Sequence, residues 1–432
     1  MEVKNKKFIT FSLGCRVNIC ETNDIIVEGE KENMVYTKDV NEASIAIINT
    51  CCVTNKASSK SIHLIQRIAK LKNIEAICVC GCFSQLTQDI DIDKVKIIIG
   101  TKYKTKIIEL LKKYEKERII LIDDLMKEKK FELSHKHQNV KNTRFFFKIQ
   151  EGCNYNCSYC IIPLVRGRQR SCKKEEIFST INEMIKNEIK EIVLTGVNLA
   201  GYNDNGYEFF DLLKDIKKEY EKEDVRFRLS SLEPFQINKE IIKFILANPI
   251  FCPSLHICLQ SANDTILKDM ERKYTFPQFL SLCNYARKIN KLVSLTTDYI
   301  INFPSETKLL FDDSIKNLKK IKFSSMHIFP FSLHKQTKAA LIKNLVLPRQ
   351  KIERYGIISS LNEKFKNEYL KKFINKKVEV IFEQNKEQNN SIGHSQYFFS
   401  VIVKGKEILK NCKKIVKIVE VNNENEVFGV IA

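Results

Sequence analysis

Short apolar runs alternate with longer amphipathic stretches over most of the chain. In the N-terminal part, the runs KFITFSLGC, ASIAIINTC and EAICVCGC predict three strands that end at Cys15, Cys51 and Cys82. Residues 56–71 lie between two of these runs and carry isoleucines at helical spacing. Such strand–helix alternation is typical of a parallel sheet covered by helices, and ligands of such sheets gather where the strands end.

The same alternation returns in the central part of the chain and predicts a partial barrel of βα units. The candidate strands lie at 145–150, 191–195, 226–230, 255–260, 293–301 and 325–331. Helical patterns such as 173–190 and 208–223 separate them. In βα barrels the loops that follow the strands form the active face. Towards the C-terminus, KKVEVIFE and YFFSVIVKG alternate with period two, which predicts a small antiparallel β module.

These patterns predict an α/β protein with three domains, which agrees with a length of 432 residues. A parallel α/β domain at 1–126 is followed by a polar, basic linker at 127–143. A partial (βα)6 barrel at 144–370 precedes the antiparallel β module at 371–432. No apolar run approaches the ~18 residues that span a bilayer, and no secretory signal is visible. We therefore expect a cytoplasmic protein with no membrane contact.

Charge and cysteine content suggest two kinds of partner. The chain has 72 Lys and Arg against 52 Asp and Glu, a net charge of +20. This charge favours a polyanion such as nucleic acid, but an AT-biased genome would also enrich lysine, so both interpretations stay open. The chain also has fifteen cysteines. In a reducing compartment, clustered cysteines more often bind metal or react than form disulfides.

The segment QEGCNYNCSYCIIP carries Cys153, Cys157 and Cys160 in a C-x3-C-x2-C array after the first predicted barrel strand. A 4Fe-4S cube has four irons and usually thiolate ligands, so three cysteines would leave one iron open. Such an iron, when reduced, can chelate S-adenosylmethionine, split its sulfonium bond and release a carbon radical. Tyr159 could stack on the adenine. Zinc is the alternative, although no fourth ligand follows at the usual distance.

The stretch GCNYNCSYCIIPLVRGRQRS resembles the radical S-adenosylmethionine signature of the tRNA methylthiotransferases. This family has an N-terminal domain with three further cysteines, a radical core and a C-terminal TRAM module, in the order predicted here. The resemblance implies that Cys15, Cys51 and Cys82 hold a second 4Fe-4S cluster with a free iron that carries sulfur. It also implies tRNA as substrate, with external electron and sulfur donors.

Two neighbouring cysteines make the second site ambiguous. Cys52 adjoins Cys51, and strand alternation is expected to point Cys80 and Cys82 to the same side. The motif frames favour Cys51 and Cys82 as ligands. The other cysteines, for example Cys20, Cys172, Cys258 and Cys412, are expected to pack in cores.

Further motifs resemble the branch of the family that acts on N6-threonylcarbamoyladenosine, at position 37 next to the anticodon. They are CVTNKA, LTGVNLAGY and RLSSLEP. The resemblance implies that a deoxyadenosyl radical removes the hydrogen from carbon 2, that sulfur fills the position, and that a second S-adenosylmethionine supplies the methyl group. The alternatives are the same chemistry on isopentenyladenosine or a ribosomal protein, a tRNA-binding iron–sulfur protein without turnover, and a zinc-binding scaffold.

Several residues outside the cysteine triads are candidate contacts for cofactor or substrate. Asn198, Glu233, Gln260 and Ser261 end or follow predicted strands and are candidates to bind S-adenosylmethionine; plain turns and helix caps are the alternatives. Arginines of VRGRQRS form a basic fork suited to RNA phosphates, with a solvated loop as the alternative: Arg166, Arg168 and Arg170. Specific RNA recognition usually targets unpaired loops such as the anticodon loop.

The chain departs from the family at four usual glycine positions. Ala262, Asn302, Ser305 and Gln336 stand there instead. Glycine permits positive φ or a close approach of ligand, and asparagine tolerates left-handed geometry best among the replacements. Ala262 and Ser305 therefore raise the question of whether the cofactor pocket keeps its shape.

Overall fold

The computed structural model describes residues 3–114, 116–132, 143–386, 390–405 and 409–432. Its backbone contacts divide the chain into two compact units. The first consists of Met1–Val140, Gln150–Cys172 and Ser332–Thr337, and the second of the remaining segments. Most of the predicted linker, 133–142, lies outside the described residues.

The first unit contains a six-stranded sheet. Its strands are β1 (Lys7–Ser12), β2 (Val35–Tyr36), β3 (Ile45–Thr50), β4 (Ala76–Gly81), β5 (Val95–Ile99) and β6 (Ile119–Leu121). Their order is β2-β1-β3-β4-β5-β6, and all neighbours pair in parallel. The helices of this part are α1 (Arg16–Lys31), α2 (Asn55–Ala69), α3 (Cys82–Leu86) and α4 (Ile107–Lys113). This is the predicted parallel sheet with its covering helices.

Two apolar cores lie on the two faces of this sheet. Every residue of β3 and β4 is buried, as expected for central strands of a parallel sheet with both faces covered. Ile48 and Val79 belong to one core, whereas Ile47 and Cys78 belong to the other. Helix α2 begins after Thr54, which accepts a hydrogen bond from the Ala57 N–H at 3.1 Å and so caps the helix.

One strand carries the chain from one unit into the other. The first six residues of β7 (Arg144–Glu151) belong to the second unit and the last two to the first. The loop with the C-x3-C-x2-C array follows, and then α5 (Ile162–Arg166) and β8 (Arg170–Ser171), all in the first unit. Strand β8 pairs antiparallel with the end of β7, at Gln150 and Glu151.

The second unit contains the barrel strands. They are β9 (Glu191–Gly196), β10 (Asn203–Asp204), β11 (Tyr207–Glu208), β12 (Arg226–Leu229), β13 (Ser231–Leu232), β14 (Ser254–Ile257), β15 (Ser294–Ile301) and β16 (Ser325–Pro330). Two four-stranded sheets have the orders β12-β9-β7-β8 and β13-β14-β15-β16. Since β12 and β13 are nearly continuous, the six predicted strands form a partial barrel, which confirms the predicted core.

Helices follow the barrel strands and cover them. They are α6 (Lys174–Lys186), α7 (Phe209–Tyr220), α8 (Lys239–Ala247), α9 (Asp264–Asp269), α10 (Phe276–Ile289), α11 (Lys308–Ile321) and α12 (Pro348–Lys371). Helix α10 shows why they begin where they do: Thr275 and Gln278 form a capping box, and a proline occupies its first turn. None of the helices in the described ranges is both long and apolar enough to cross a membrane.

The C-terminal strands close into a small barrel. They are β17 (Lys377–Lys386), β18 (Asn390–Ser395), β19 (Ser400–Lys404), β20 (Cys412–Val421) and β21 (Val427–Ile431). The order around the barrel is β17-β18-β19-β21-β20. Strands β19 and β21 pair in parallel, and the other neighbouring strands pair antiparallel, as predicted for this module. This parallel pair closes the barrel and leaves no open strand edge.

A buried charge cluster joins this small barrel to the core of the second unit. The Glu191 carboxylate is fully buried and accepts hydrogen bonds from Arg144, Arg226 and Arg228 at 2.7–2.9 Å. The same arginines also contact the small barrel, at the carboxylates of Glu379 and Glu383 and the carbonyls of His394, Ser395 and Gln396. Burial acts to raise the pKa of Glu191, but the three arginines outweigh it and hold that pKa well below its usual range.

Candidate functional site

The three N-terminal cysteines of the predicted second cluster lie at one edge of the first sheet. Cys51 directly follows β3, and Cys82 directly follows β4 as the first residue of α3. Cys15 comes three residues after β1 and precedes α1. Because β1, β3 and β4 are neighbours in the sheet, their carboxyl ends bring these loops together.

Gly14 shows how closely two of these loops approach each other. Its φ is +100°, and a Cβ at this position would lie 2.7 Å from both Cβ and Sγ of Cys51. Only glycine satisfies the backbone angle and the space together. The loop of Cys15 is therefore packed directly against the thiol of Cys51.

Burial and mutual repulsion raise the pKa values of the Cys51 and Cys82 thiols. Burial and, to a smaller extent, the neighbouring Cys82 and Cys15 together raise the pKa of Cys51 to about 12. Burial also raises the pKa of Cys82, against the opposing effect of Arg166. The Cys51 and Cys82 thiols are therefore neutral until a metal displaces their protons. Three soft sulfur donors on short loops at one edge fit a 4Fe-4S cluster with one iron left open.

The two ambiguous cysteines differ in position. Cys52 lies on the same face as Cys82 and donates its S–H to the Cys82 carbonyl at 3.2 Å. Cys80 packs with Cys78 in the core on the opposite face. The prediction that Cys80 and Cys82 share a side is therefore wrong. Gly81, with φ +109°, ends the strand and turns the chain, so strand alternation does not extend to Cys82.

The C-x3-C-x2-C loop presents half-buried thiols in the same unit. Cys153, Cys157 and Cys160 are each of intermediate exposure. The Cys153 N–H donates to the Gly167 carbonyl at 3.1 Å, and the Cys160 N–H donates to the Cys157 carbonyl at 3.0 Å. None of the fifteen cysteines, all within the described ranges, forms a disulfide. Thiols that are accessible and held on an ordered loop can ligate a cluster.

The structure corrects the interpretation of the arginine fork. The Arg166 side chain is only 1% exposed and forms ion pairs with Glu21 and Glu151, at 2.6 and 2.7 Å. It has no access to RNA in this position. Arg170 is also buried, and its guanidinium donates to the carbonyls of Arg166 and Arg168. Arg168 alone of the three is partly exposed.

A buried polar network supports the cysteine loops, and the sequence did not reveal it. Asn18 donates to the carbonyls of Leu13 and Thr50, at 2.7 and 3.0 Å, and so links the loops of Cys15 and Cys51. Glu21 pairs with both Arg166 and Lys104, whose side chains are buried. Asn18 and Glu21 lie one turn apart on α1, shortly after Cys15. In the sequence, this i,i+3 spacing of two polar residues was the only sign that they share one face of the helix.

The remaining candidates lie in the second unit. Asn198 is buried and begins a 3-10 turn after β9. Glu233 forms an ion pair with Arg272, and burial raises the pKa of this glutamate despite that partner. Gln260 adopts a left-handed φ of 61° and its backbone bridges to β15, while Ser261 is fully buried beside it. Each therefore ends a strand or follows one, as predicted.

The backbone φ angles show whether the four positions where the family usually has glycine require glycine in this chain. Of the four residues, Asn302 alone has a positive φ, 62°, which asparagine tolerates. Its N–H donates to Glu306 at 2.9 Å. Ala262 is fully buried, and its carbonyl accepts a hydrogen bond from Asn317 at 2.8 Å. The backbone conformations at Ala262, Ser305 and Gln336 therefore do not require glycine.

A group with metal-ligand chemistry also occurs in the second unit. Atoms of His256, Cys258 and Asp298 lie within 4.8 Å of one another. His256 Nε2 is 3.3 Å from Asp298 Oδ1, and its Nδ1 is 3.0 Å from the Thr296 hydroxyl. The imidazole is thus held between an acid and a hydroxyl, and these hydrogen bonds account for the arrangement without a metal.

Comparison with known proteins places both cysteine triads within family matches. The Radical SAM superfamily matches residues 147–322, and a family described as Uncharacterized protein family UPF0004 matches residues 7–100. Threonylcarbamoyladenosine tRNA methylthiotransferase MtaB of Bacillus subtilis is 34% identical over 94% of this chain and 92% of its own length. A tRNA-2-methylthio-N(6)-dimethylallyladenosine synthase of Malacoplasma penetrans is 29% identical over 94% of this chain and 86% of its own.

Solved structures agree on the fold. The radical S-adenosylmethionine methyltransferase TsrM of Kitasatospora setae, with cobalamin and a [4Fe-4S] cluster bound, has a TM-score of 0.53 at 12% identity. The likeness covers 78% of this chain and 77% of TsrM. At this identity, the similarity supports the radical S-adenosylmethionine fold alone.

Proposed function

Because the chain belongs to the radical S-adenosylmethionine tRNA methylthiotransferases, we propose that it acts on N6-threonylcarbamoyladenosine at position 37 of tRNA. The family membership makes it an enzyme of tRNA methylthiolation that uses S-adenosylmethionine and 4Fe-4S clusters. The proposed product carries a methylthio group on carbon 2 of the base. The names of the MtaB relatives and the motif CVTNKA support this choice of nucleoside.

The observation that carries the proposal is the presence of two cysteine triads in one compact unit. Cys15, Cys51 and Cys82 lie on loops at one sheet edge, and the loop of Cys153, Cys157 and Cys160 belongs to the same unit. We assign one 4Fe-4S cluster to each triad. When bound, the clusters supply the one-electron cleavage of S-adenosylmethionine and a site for sulfur.

The chain's own residues position these groups. Asn18 ties the loops of Cys15 and Cys51 together, so the loops of two of the three auxiliary cysteines are held in place before a cluster is loaded. Gly14 removes the side chain that would otherwise occupy the space beside Cys51. Buried surroundings exclude water from Cys51 and Cys82, which protects reactive sulfur from hydrolysis and oxidation.

We assign the contacts to S-adenosylmethionine and RNA residue by residue. Tyr159 is half-buried and offers a ring for the adenine. The side chains that end or follow barrel strands are proposed to bind the rest of S-adenosylmethionine: Asn198, Glu233, Gln260 and Ser261. Arg168 is proposed as the RNA contact. External electron and sulfur donors complete the reaction.

Nucleoside mass spectrometry of tRNA tests the substrate. Deletion of the gene should abolish 2-methylthio-N6-threonylcarbamoyladenosine and leave the unmodified threonylcarbamoyl nucleoside in its place. Loss of a methylthio group from isopentenyladenosine instead would favour the activity named for the Malacoplasma penetrans relative. An unchanged threonylcarbamoyl pool would reject the proposal.

Iron analysis tests the cofactor assignment independently of the substrate. Anaerobically purified protein should contain about eight irons per chain, the content of two cubes. Incubation with S-adenosylmethionine and dithionite should release 5′-deoxyadenosine if the core turns over. Protein with zinc and no iron would contradict both assignments.

A further inference from the structure

We propose that Arg166 is a positioning residue for the cluster at Cys15, Cys51 and Cys82, and that its charge makes this cluster easier to reduce. The proposal rests on the proposed function, since it takes these three cysteines as the ligands of the auxiliary cluster. Arg166 would act on the cluster through Cys82, and it would not touch the substrate. The sequence alone suggested an RNA contact for this arginine, so the role arises from its observed position.

The contact with Cys82 is direct and buried. The Arg166 Nε–H donates a hydrogen bond to Cys82 Sγ at 3.3 Å. Each of the two residues is at most 2% exposed to solvent. A guanidinium has five N–H donors and remains protonated in proteins, so its positive charge is permanent. Little water is available here to screen that charge from the sulfur.

The remaining donors of Arg166 fix its orientation. Nη1 donates to Glu21 at 2.6 Å and to Glu151 at 2.7 Å. Nη2 donates to Glu21 at 3.1 Å and also to the Asn18 side chain. Partners on several sides prevent the guanidinium from turning away from the sulfur. Arg166 thereby joins α1, which follows Cys15, to the end of β7.

Arg166 also connects the two cysteine loops. Glu151 lies two residues before Cys153, and Cys82 begins α3. One side chain therefore contacts a ligand of the auxiliary triad and the segment leading into the C-x3-C-x2-C loop. A displacement of Arg166 would loosen both loops, whereas a displacement of a surface arginine would loosen neither.

The charge balance around Cys82 favours an anionic cluster. Arg166 and Lys104 are the two cations that act on the Cys82 thiol, and both pair with Glu21. Replacing Arg166 with a neutral residue would therefore remove one of the two positive charges that act on this sulfur. Net charge and hydrogen bonds to the sulfurs set the reduction potentials of such clusters. A positive charge stabilises the reduced, more negative state, so its loss should make reduction harder.

Redox titration of the holoenzyme, followed by electron paramagnetic resonance, tests this role. In Arg166→Gln the equilibrium constant for reducing the auxiliary cluster should fall about tenfold, or about 59 mV for one electron. Arg166→Lys retains the charge but lacks the planar fork, so an intermediate shift is expected. The cluster at Cys153, Cys157 and Cys160 is titrated in each sample as well, and its potential should shift less, because Arg166 reaches its loop only through Glu151.

A second variant separates charge from loss of structure. Glu21→Gln removes a negative charge and keeps the Arg166–Cys82 hydrogen bond, so the potential should move in the opposite direction. Arg67→Gln is the matched control, because Arg67 is exposed in the last turn of α2, at the end of that helix remote from Cys51, and its loss should leave the potential unchanged. General loosening of the site cannot shift two variants in opposite directions.

The outcomes distinguish this inference from the proposed function. If Arg166→Gln does not load the auxiliary iron, Arg166→Lys and Glu21→Gln still provide the comparison. Potentials equal to wild type in both Arg166 variants, or shifts of one sign in Arg166→Lys and Glu21→Gln, would overturn the role of Arg166. A wild-type protein with about four irons would instead refute the proposed auxiliary cluster itself.

Discussion

Replacement of Glu191 should destabilise the second unit strongly. Its two carboxylate oxygens accept four hydrogen bonds from three buried arginines. Glu191→Gln keeps one oxygen but turns the other acceptor into an NH2 group, which faces arginine N–H donors. Two charge-assisted bonds and the balancing negative charge are lost together. Each such bond contributes roughly 1.5–3 kcal/mol, and breaking a buried ion pair costs roughly 3–5 kcal/mol.

Urea denaturation followed by circular dichroism measures this cost. We expect Glu191→Gln to lower the free energy of unfolding by about 3–5 kcal/mol at pH 7. The matched control is Asp312→Asn, which breaks an ion pair with Lys308 whose side chains are 74% and 44% exposed. An exposed pair of this kind contributes less than about 1 kcal/mol. A Glu191→Gln protein as stable as the control would refute the argument.

The pH dependence provides a further check on Glu191. The pKa of this carboxyl in the folded state is well below 4.5, so its ionised form stabilises the fold. That stabilisation is complete at pH 7 and declines once the pH falls below 4.5 and the unfolded state binds the proton. The stability difference between wild type and Glu191→Gln should therefore shrink in acid. A difference that grows below pH 4 would contradict this assignment of charge.

Three further predictions concern the cysteine site and a second buried acid. Cys51→Ser should remove about half of the iron and abolish methylthiolation while 5′-deoxyadenosine is still formed; full iron content would contradict the ligand assignment. Gly14→Ala should lose the same iron, because its Cβ would lie 2.7 Å from Cys51 Sγ, whereas Gly356→Ala meets nothing within 4 Å and should keep it. Burial raises the pKa of Glu306 to about 7. The free energy of unfolding of the wild type, measured by urea denaturation at each pH, should therefore fall relative to that of Glu306→Gln as the pH rises from 5 to 8. Stability curves of the two proteins that run parallel with pH would contradict this prediction.

The barrel strands could be predicted because each is a continuous apolar run between helical patterns. The predicted strand 293–301 is observed as Ser294–Ile301, and 325–331 as Ser325–Pro330. Strands of two residues, such as β8 and β10, are too short to show any periodicity. The parallel pairing of β19 with β21 depends on closure of the barrel, which no local pattern records.

The cysteine ligands of the site could be predicted from local motifs. The burial and orientation of the side chains around them could not be predicted, because these depend on residues that are distant in the sequence. Cys51 and Cys82 follow their strands as expected. The side on which Cys80 lies depended on the turn at Gly81, which the alternation rule does not include. Arg166 looked like a surface arginine because its partner Glu21 is 145 residues away in the sequence. Burial of a charge by so distant a partner is visible only in three dimensions.

The grouping of the C-x3-C-x2-C loop with the N-terminal sheet changes where the protein can be divided experimentally. A fragment that ends at the predicted boundary after residue 126 would lack Arg166. The buried Glu21 carboxylate would then lose this ion-pair partner and become exposed to solvent. A fragment that runs through Cys172 would keep both triads and their shared anchor in one piece. Truncated forms of this enzyme should therefore be designed from the contacts in the structure and not from the boundary predicted by the sequence after residue 126.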